Sequence, residues 1–544
     1  MTAPWNDPAR PVAERVDALL QELSLEEKAG QLGSYWLRPD PEEATGGAAP
    51  MESAFADDRS TFEAAIAHGL GHITRAFGSA PISAADGVEH LRTLQRQVVE
   101  TSRLGIPAIA HEECLTGFTT LGATCYPAAI AWGAAFDPEL VRTMARHIGA
   151  DMKGVGVHLG LSPVLDVVRD YRWGRVEETV GEDPYLVGTL TTEYVRGLQE
   201  AGVIATLKHF AGYSTSRAGR NHAPVSIGPR EFRDVVLVPF EMAVKLGQAG
   251  AVMNSYADVD GVPPVADPEL LTTLLRETWG FEGTVVSDYW AVSFLESMHH
   301  VAADPRDAGV QSLAAGMDVE LPETGCFADL AGAVRDGALD ESLLDRAVRR
   351  VLTQKVELGL LDPGFDPGTA GGAVDLDSPA NRRLARRMAE ESVVLLKTRA
   401  SCRWPATPPG RSRSSAPAPG SPARSSAATA SPTTSCPASG SPAPASRSPR
   451  SSTPSPRSSR TGGPPSGTPA ASTSPTPTPA ASPRPWPRPR RPTSRSSPWA
   501  TSPGSSARAP PARAATSWTC PCPAGKPSSS RPCSPRAPRW SSCS

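Results

Sequence analysis

An apolar run, Val285-Val286-Ser287, ends in Asp288-Tyr289-Trp290, an acid followed by two aromatic residues. A carboxylate at the end of a buried strand can act as a nucleophile on an anomeric carbon, with aromatic walls keeping water from the intermediate. The plain alternative is a helix N-cap aspartate at a strand–helix junction.

Two further segments carry donors. Arg169-Asp170-Tyr171-Arg172-Trp173-Gly174-Arg175-Val176-Glu177-Glu178 continues to Gly181-Glu182-Asp183-Pro184-Tyr185. Planar guanidinium groups pair with vicinal hydroxyls and a Trp face packs on a sugar ring, so this alternation suits a polyhydroxylated ligand. A buried Arg–Glu clamp on a loop would leave the same residues. Leu207-Lys208-His209-Phe210 places two adjacent donors at the end of another apolar run, against the alternative of a solvated loop.

These side chains need a frame that brings them together. Short apolar runs at 73–77, 106–110, 159–167, 204–210, 251–256, 284–289 and 317–321 alternate with helical patterns such as 138–152 and 230–246. Repeated strand–helix units over the first 350 or so residues predict an α/β fold, a TIM-like (β/α)8 barrel whose chemistry sits at the C-terminal ends of its strands. Polar residues stand there: Glu112, Glu113, Asp166, Lys208, His209, Tyr256, Asp288 and Glu320. No Gly-x-Gly-x-x-Gly turn supports the doubly wound alternative. Amphipathic helix character opens the domain over 15–32, with Ser24 as an N-cap before Glu26 and Glu27.

Taken together and in this order, Glu26-Glu27-Lys28, Arg-Trp-Gly-Arg, Lys-His-Phe and Ser-Asp-Tyr make residues 10–397 resemble glycoside hydrolase family 3, the retaining exo-acting β-glycosidases. The resemblance implies Asp288 as catalytic nucleophile. It also implies a subsite for the non-reducing sugar lined by Glu113, Arg172, Lys208, His209, Tyr256 and Tyr289, and a cis Lys208–His209 bond. Family glucosidases usually place an Asp where this chain has Glu113. One extra methylene extends the carboxylate by roughly 1.5 Å, into space the exocyclic CH2OH of glucose would need. A pentose follows, so β-xylosidase is favoured and β-glucosidase comes next. The expected partners are small β-linked oligosaccharides or aryl and alkyl glycosides. No metal or organic cofactor is implied.

The composition changes at Thr398. From there to Ser544 there is no Asp, Glu, Val, Ile, Leu, Met, Phe, Tyr, His, Asn or Gln, and 20 of the 54 basic residues fall in this tail. The rest of the chain holds all 57 acids. A segment without branched aliphatics cannot offset its ordering entropy by burial, so 398–544 is expected to be a disordered Pro/Ser/Ala/Arg-rich tail. It lacks the aromatic interleaving of a single-strand binder and predicts no specific nucleic-acid partner. Typical GC-rich codons for Cys402-Arg403-Trp404-Pro405, read one base earlier, give an apolar-Pro-apolar-Ala tetrapeptide, the mark of a slipped reading frame. The domains read as a barrel over 1–365, then 366–397 as a linker with the first helix (378–391) and strand (392–396) of a truncated α/β sandwich domain, then the tail. No apolar run approaches membrane-spanning length and the N-terminus lacks a secretion-signal layout, which favours the cytoplasm.

Retention takes two carboxyl groups about 5 Å apart, one attacking and one protonating the leaving oxygen. In two-domain members the acid comes from the second domain, and here no acidic side chain follows Glu391. The expected protein is an impaired glycosidase. The alternatives are an inactive carbohydrate-binding remnant or a β-N-acetylglucosaminidase, whose single-domain branch uses a loop His held by an Asp. His222 stands on that loop, but the Asp expected two residues before it is Arg220.

Overall fold

The computed structural model describes residues 3–36, 61–366 and 374–397. Seven parallel strands pair in chain order: β1 (Ser34–Trp36), β2 (His72–Thr74), β3 (Ile109–Glu112), β4 (Leu159–Gly160), β5 (Ile204–Phe210), β6 (Ala251–Asn254) and β7 (Thr284–Val286). Parallel neighbours require crossovers, and helices such as Ala84–Thr101, Pro138–Gly154 and Pro184–Glu200 supply them. Every residue of β5 is buried, because helices cover the outside of the sheet and side chains fill the inside.

The sheet closes on itself through residues 317–321. Val319 bridges Val286 in parallel and accepts from Ser287 N (2.9 Å). On the other edge Glu320 N donates to Leu32 O (3.0 Å), and Ser34 Oγ donates to Glu320 O (2.7 Å). This segment stands where an eighth strand belongs, so the barrel expected from the sequence is the barrel observed.

Local signals start the helices. Ser24 and Glu27 form a reciprocal capping box at the helix Leu25–Gly30, which separates it from the helix Val12–Glu22 within the amphipathic stretch 15–32. Asp137 and Asp183 accept from Leu140 N and Leu186 N, each followed by a proline at the first helical position. The Asp183-Pro184 pair of the second motif is therefore a helix start.

The helix Pro379–Glu391 is capped by Ser378 and packs on the helices Ala129–Ala135 and Pro138–Gly154. Its Asn381 donates to Asp151 Oδ2 (2.8 Å), and Met388 is fully buried. The strand expected over 392–396 does not form. Ladder bonds come from a neighbouring strand, and among the described residues none pairs with it, which leaves Val393 and Leu396 79% and 92% exposed. The disordered tail and the reading-frame expectation concern 398–544, outside the described residues.

Candidate active site

Asp288 lies two residues beyond β7, and the backbone holds it from both sides. Its N–H donates to Asn254 Oδ1 (3.0 Å) at the end of β6, and its Oδ1 accepts from Tyr289 N (2.8 Å). Trp290 turns back with φ of 59° and donates from its N–H to Leu321 O (3.0 Å). Oδ2 is buried 3.8 Å from His209 Nε2, and the Tyr256 hydroxyl acts on the same carboxyl. The side chain is 11% exposed, and this exposure falls on the edge away from Oδ2. Burial pushes Asp288 up to about 6, against the pull of Arg175 and Lys208.

Strand β5 delivers the two donors. The Lys208–His209 bond is cis, as the family resemblance implies, and so is Phe210–Ala211. Gly212, at φ of 98°, then turns the chain across the barrel mouth in a conformation that favours glycine. Lys208 Nζ donates to Glu113 Oε2 (2.9 Å), just past β3. Burial pushes Glu113 up, but Lys208 and Arg75 outweigh it and leave the carboxyl below its ordinary value. Asp166 Oδ2 accepts from His209 N (3.1 Å) and stands 2.8 Å from His209 Nδ1, an arrangement in which the ionised Asp166 holds the ring proton on Nδ1. Burial, Arg175 and Lys208 hold His209 well below its usual pKa. The neutral ring therefore turns a bare Nε2 towards Asp288.

Tyr256 and Tyr289 line the same floor. The Tyr256 hydroxyl donates to Tyr289 O (2.8 Å), and the Tyr256 ring packs on His222 and Tyr213 at centroid distances of 4.5 and 5.7 Å. The Tyr289 ring meets Trp36 at 5.4 Å.

The structure brings together Asp288, Glu113, Lys208, His209, Tyr256 and Tyr289, and leaves Arg172 out. The Arg172 side chain is 71% exposed and paired with its neighbour Asp170 (2.6 Å). Arg175 takes the inner place. Its Nε and a terminal nitrogen each donate to Glu178 at 2.7 Å, and the guanidinium stands 5.5 Å over the Tyr213 ring. Its charge acts on Asp288, Glu113, Asp166 and His209. The two arginines lie three residues apart in one irregular loop, where no periodicity says which turns inward. Trp173 is also corrected: it is 2% exposed and packs edge-on to Tyr213, so it offers no face to a ligand. Sequence reasoning missed Tyr213, and it placed Asp166 at a strand end without seeing its hold on His209.

A closed parallel barrel with an acid, a lysine, an imidazole and a guanidinium at the C-terminal ends of its strands defines a barrel hydrolase-type site. The model of the glycosyl hydrolase family 3 N terminal domain matches residues 24–354, and the chain belongs to that family. It is 31% identical over 407 residues to a periplasmic beta-glucosidase of Salmonella typhimurium, covering 72% of this chain and 49% of that protein. It is 36% identical over 334 residues to a beta-xylosidase of Formosa agariphila, covering 57% and 46%. A solved β-glucosidase from Erythrobacter marinus superposes with a TM-score of 0.65 at 38% identity, covering 74% and 52%. The chain thus spans about half the length of the relatives it matches.

Proposed function

We propose that this chain carries the nucleophile-bearing half of a retaining, exo-acting β-glycosidase, with β-xylosides favoured and β-glucosides next. Asp288 attacks the anomeric carbon and forms a covalent glycosyl ester. Lys208, His209, Arg175 and Glu113 bind the hydroxyls of the sugar, with the Tyr256 and Tyr289 rings beside the reacting face. The observation that carries this reading is the place of Asp288: fixed by two backbone bonds at the barrel mouth, ringed by cationic and imidazole side chains, with one edge reachable from solvent. The beta-xylosidase and beta-glucosidase names of the relatives support the substrate class.

The leaving oxygen needs a proton, and the carboxyl groups beside Asp288 are engaged. Glu113 pairs with Lys208, Asp166 accepts from His209 and Ser214, and Glu178 holds Arg175. On this reading the acid is supplied from outside this barrel, and the chain alone works best on leaving groups that need none. Without general acid help the rate on alkyl glycosides falls by about 10²–10⁴. Hydrolysis of dinitrophenyl, nitrophenyl and methyl β-xylosides, with the first-formed anomer followed by NMR, tests both halves. A steep dependence on the leaving group and a β-configured first product are expected. A flat dependence or an α-configured product overturns the reading.

A further inference from the structure

Below the pocket, inside the barrel, two histidines face each other by the same nitrogen. His72 on β2 and His111 on β3 are both fully buried, with their Nδ1 atoms 3.3 Å apart. The other nitrogen of His111, Nε2, stands 3.5 Å from the Tyr289 hydroxyl. The other nitrogen of His72 has no partner among the described residues. Burial keeps both rings neutral, reinforced by His111 and Lys355 at His72 and by Arg75 at His111.

Two neutral rings that meet through Nδ1 share one proton between them, which leaves two arrangements. If His111 carries the shared proton, His72 must carry its own on Nε2, a buried N–H with no acceptor. If His72 carries it on Nδ1, its Nε2 is only a bare lone pair. An orphaned buried donor is rarer and more costly than an orphaned acceptor. The second arrangement is therefore favoured. His111 then holds its proton on Nε2 and donates to the Tyr289 oxygen, whose own hydroxyl proton is left free to point elsewhere.

We infer that His111 is a positioning residue for the glycosyl-transfer site, with its tautomer set by His72, and that it fixes Tyr289 as a hydrogen-bond donor at the sugar pocket. This rests on the reading of Asp288 as nucleophile. The path is short: His111 holds the Tyr289 phenol, and the Tyr289 N–H in turn holds Asp288 Oδ1. Ring contacts keep the column in register, with centroids 5.5 Å apart for His72–His111 and 6.4 Å for His111–Tyr289.

Two measurements on the full chain decide it. Long-range ¹H–¹⁵N correlation spectra of ¹⁵N-histidine-labelled protein report which ring nitrogen bears each proton. The expected pattern is Nδ1–H at His72 and Nε2–H at His111, and the reverse pattern overturns the inference without reference to activity. The second measurement is the rate of covalent inactivation by a dinitrophenyl 2-deoxy-2-fluoro-β-xyloside. His111→Gln keeps an amide donor near the Nε2 position and is expected to stay within about threefold of the parent chain, whereas His111→Leu loses the donor and slows by about tenfold or more. A folded His111→Leu variant that reacts like the parent overturns the inference, as does equal loss in both variants. If His111→Leu does not fold, the spectra decide. If the parent chain itself is not labelled, the glycosidase reading fails, and the tautomer pattern is judged separately.

Discussion

His209 Nε2 faces Asp288 Oδ2 across 3.8 Å, with the imidazole proton held on the far side of the ring by Asp166. Burial penalises the charged carboxylate by more than Arg175 and Lys208 favour it, so Asp288 binds a proton more readily than a free aspartate. In its proposed role as nucleophile, a carboxyl pushed up to about 6 reacts only once that proton has left.

The first consequence is a pH profile. Labelling by an activated fluoroglycoside should fall as the pH drops through about 6, because only the carboxylate attacks. Rates measured between pH 4.5 and 8 check this. A profile flat down to pH 4.5 would place the attacking group elsewhere.

Stability moves the other way. The folded-state pKa of Asp288 is raised above its unfolded value, so its folded form binds the proton more tightly and its charge costs stability at neutral pH. That cost is relieved as the pH falls from about 6 towards the unfolded value of 3.8. Asp288→Asn keeps the acceptor for Tyr289 N without the charge, and should raise stability at pH 7 by about 1–3 kcal/mol while abolishing labelling. Thermal melts at pH 7 and pH 5 check it, and the gain should shrink at the lower pH.

The two arginines of the second motif separate cleanly. Arg172→Ala removes an exposed side chain that, among the described residues, pairs with Asp170 alone, and should leave the labelling rate within about twofold. Arg175→Met removes the half-buried guanidinium beside the pocket and should lower that rate by about 10² or more. Equal effects from both substitutions would undo the assignment of Arg175.

The proposed pentose preference turns on Glu113. Glu113→Asp draws the carboxylate back by about 1.5 Å and opens room where an exocyclic CH2OH would sit. The xyloside-to-glucoside ratio of kcat/KM should shift towards glucoside by about tenfold, the scale of one methylene in a pocket. An unmoved ratio would remove the pentose preference.

Much of this was legible in the sequence, and the gaps have physical causes. The run at 204–210 is β5 without correction, since a strand buried on both faces needs an unbroken set of side chains that tolerate burial. The run at 159–167 shrinks to the two residues of β4, in part because Pro163 has no N–H to give a ladder. β1 escaped notice because Ser34-Tyr35-Trp36 has neither length nor alternation, and only its neighbours make it a strand. Asp288, Lys208 and His209 were readable because a barrel puts whatever follows its apolar runs at one mouth. Arg175 was not, because a loop held by ion pairs has no period to read. The His72–His111 contact was invisible for another reason: it joins residues on adjacent strands whose register the sequence does not show.

External anions should report whether an acid/base group acts in this chain. Azide needs no general base, so it should capture the glycosyl ester, raise turnover of a dinitrophenyl β-xyloside and yield the β-glycosyl azide. Turnover indifferent to azide, with no azide product, would show that this chain already holds its own acid/base group.

The central claim is that Asp288 is the nucleophile. Peptide mass spectrometry after incubation with a dinitrophenyl 2-deoxy-2-fluoro-β-xyloside tests it most directly. One sugar ester on the peptide spanning Val286 to Trp290, localised to Asp288 and absent in Asp288→Asn, is the expected result. An ester on a different carboxylate, or labelling that survives Asp288→Asn, would contradict it.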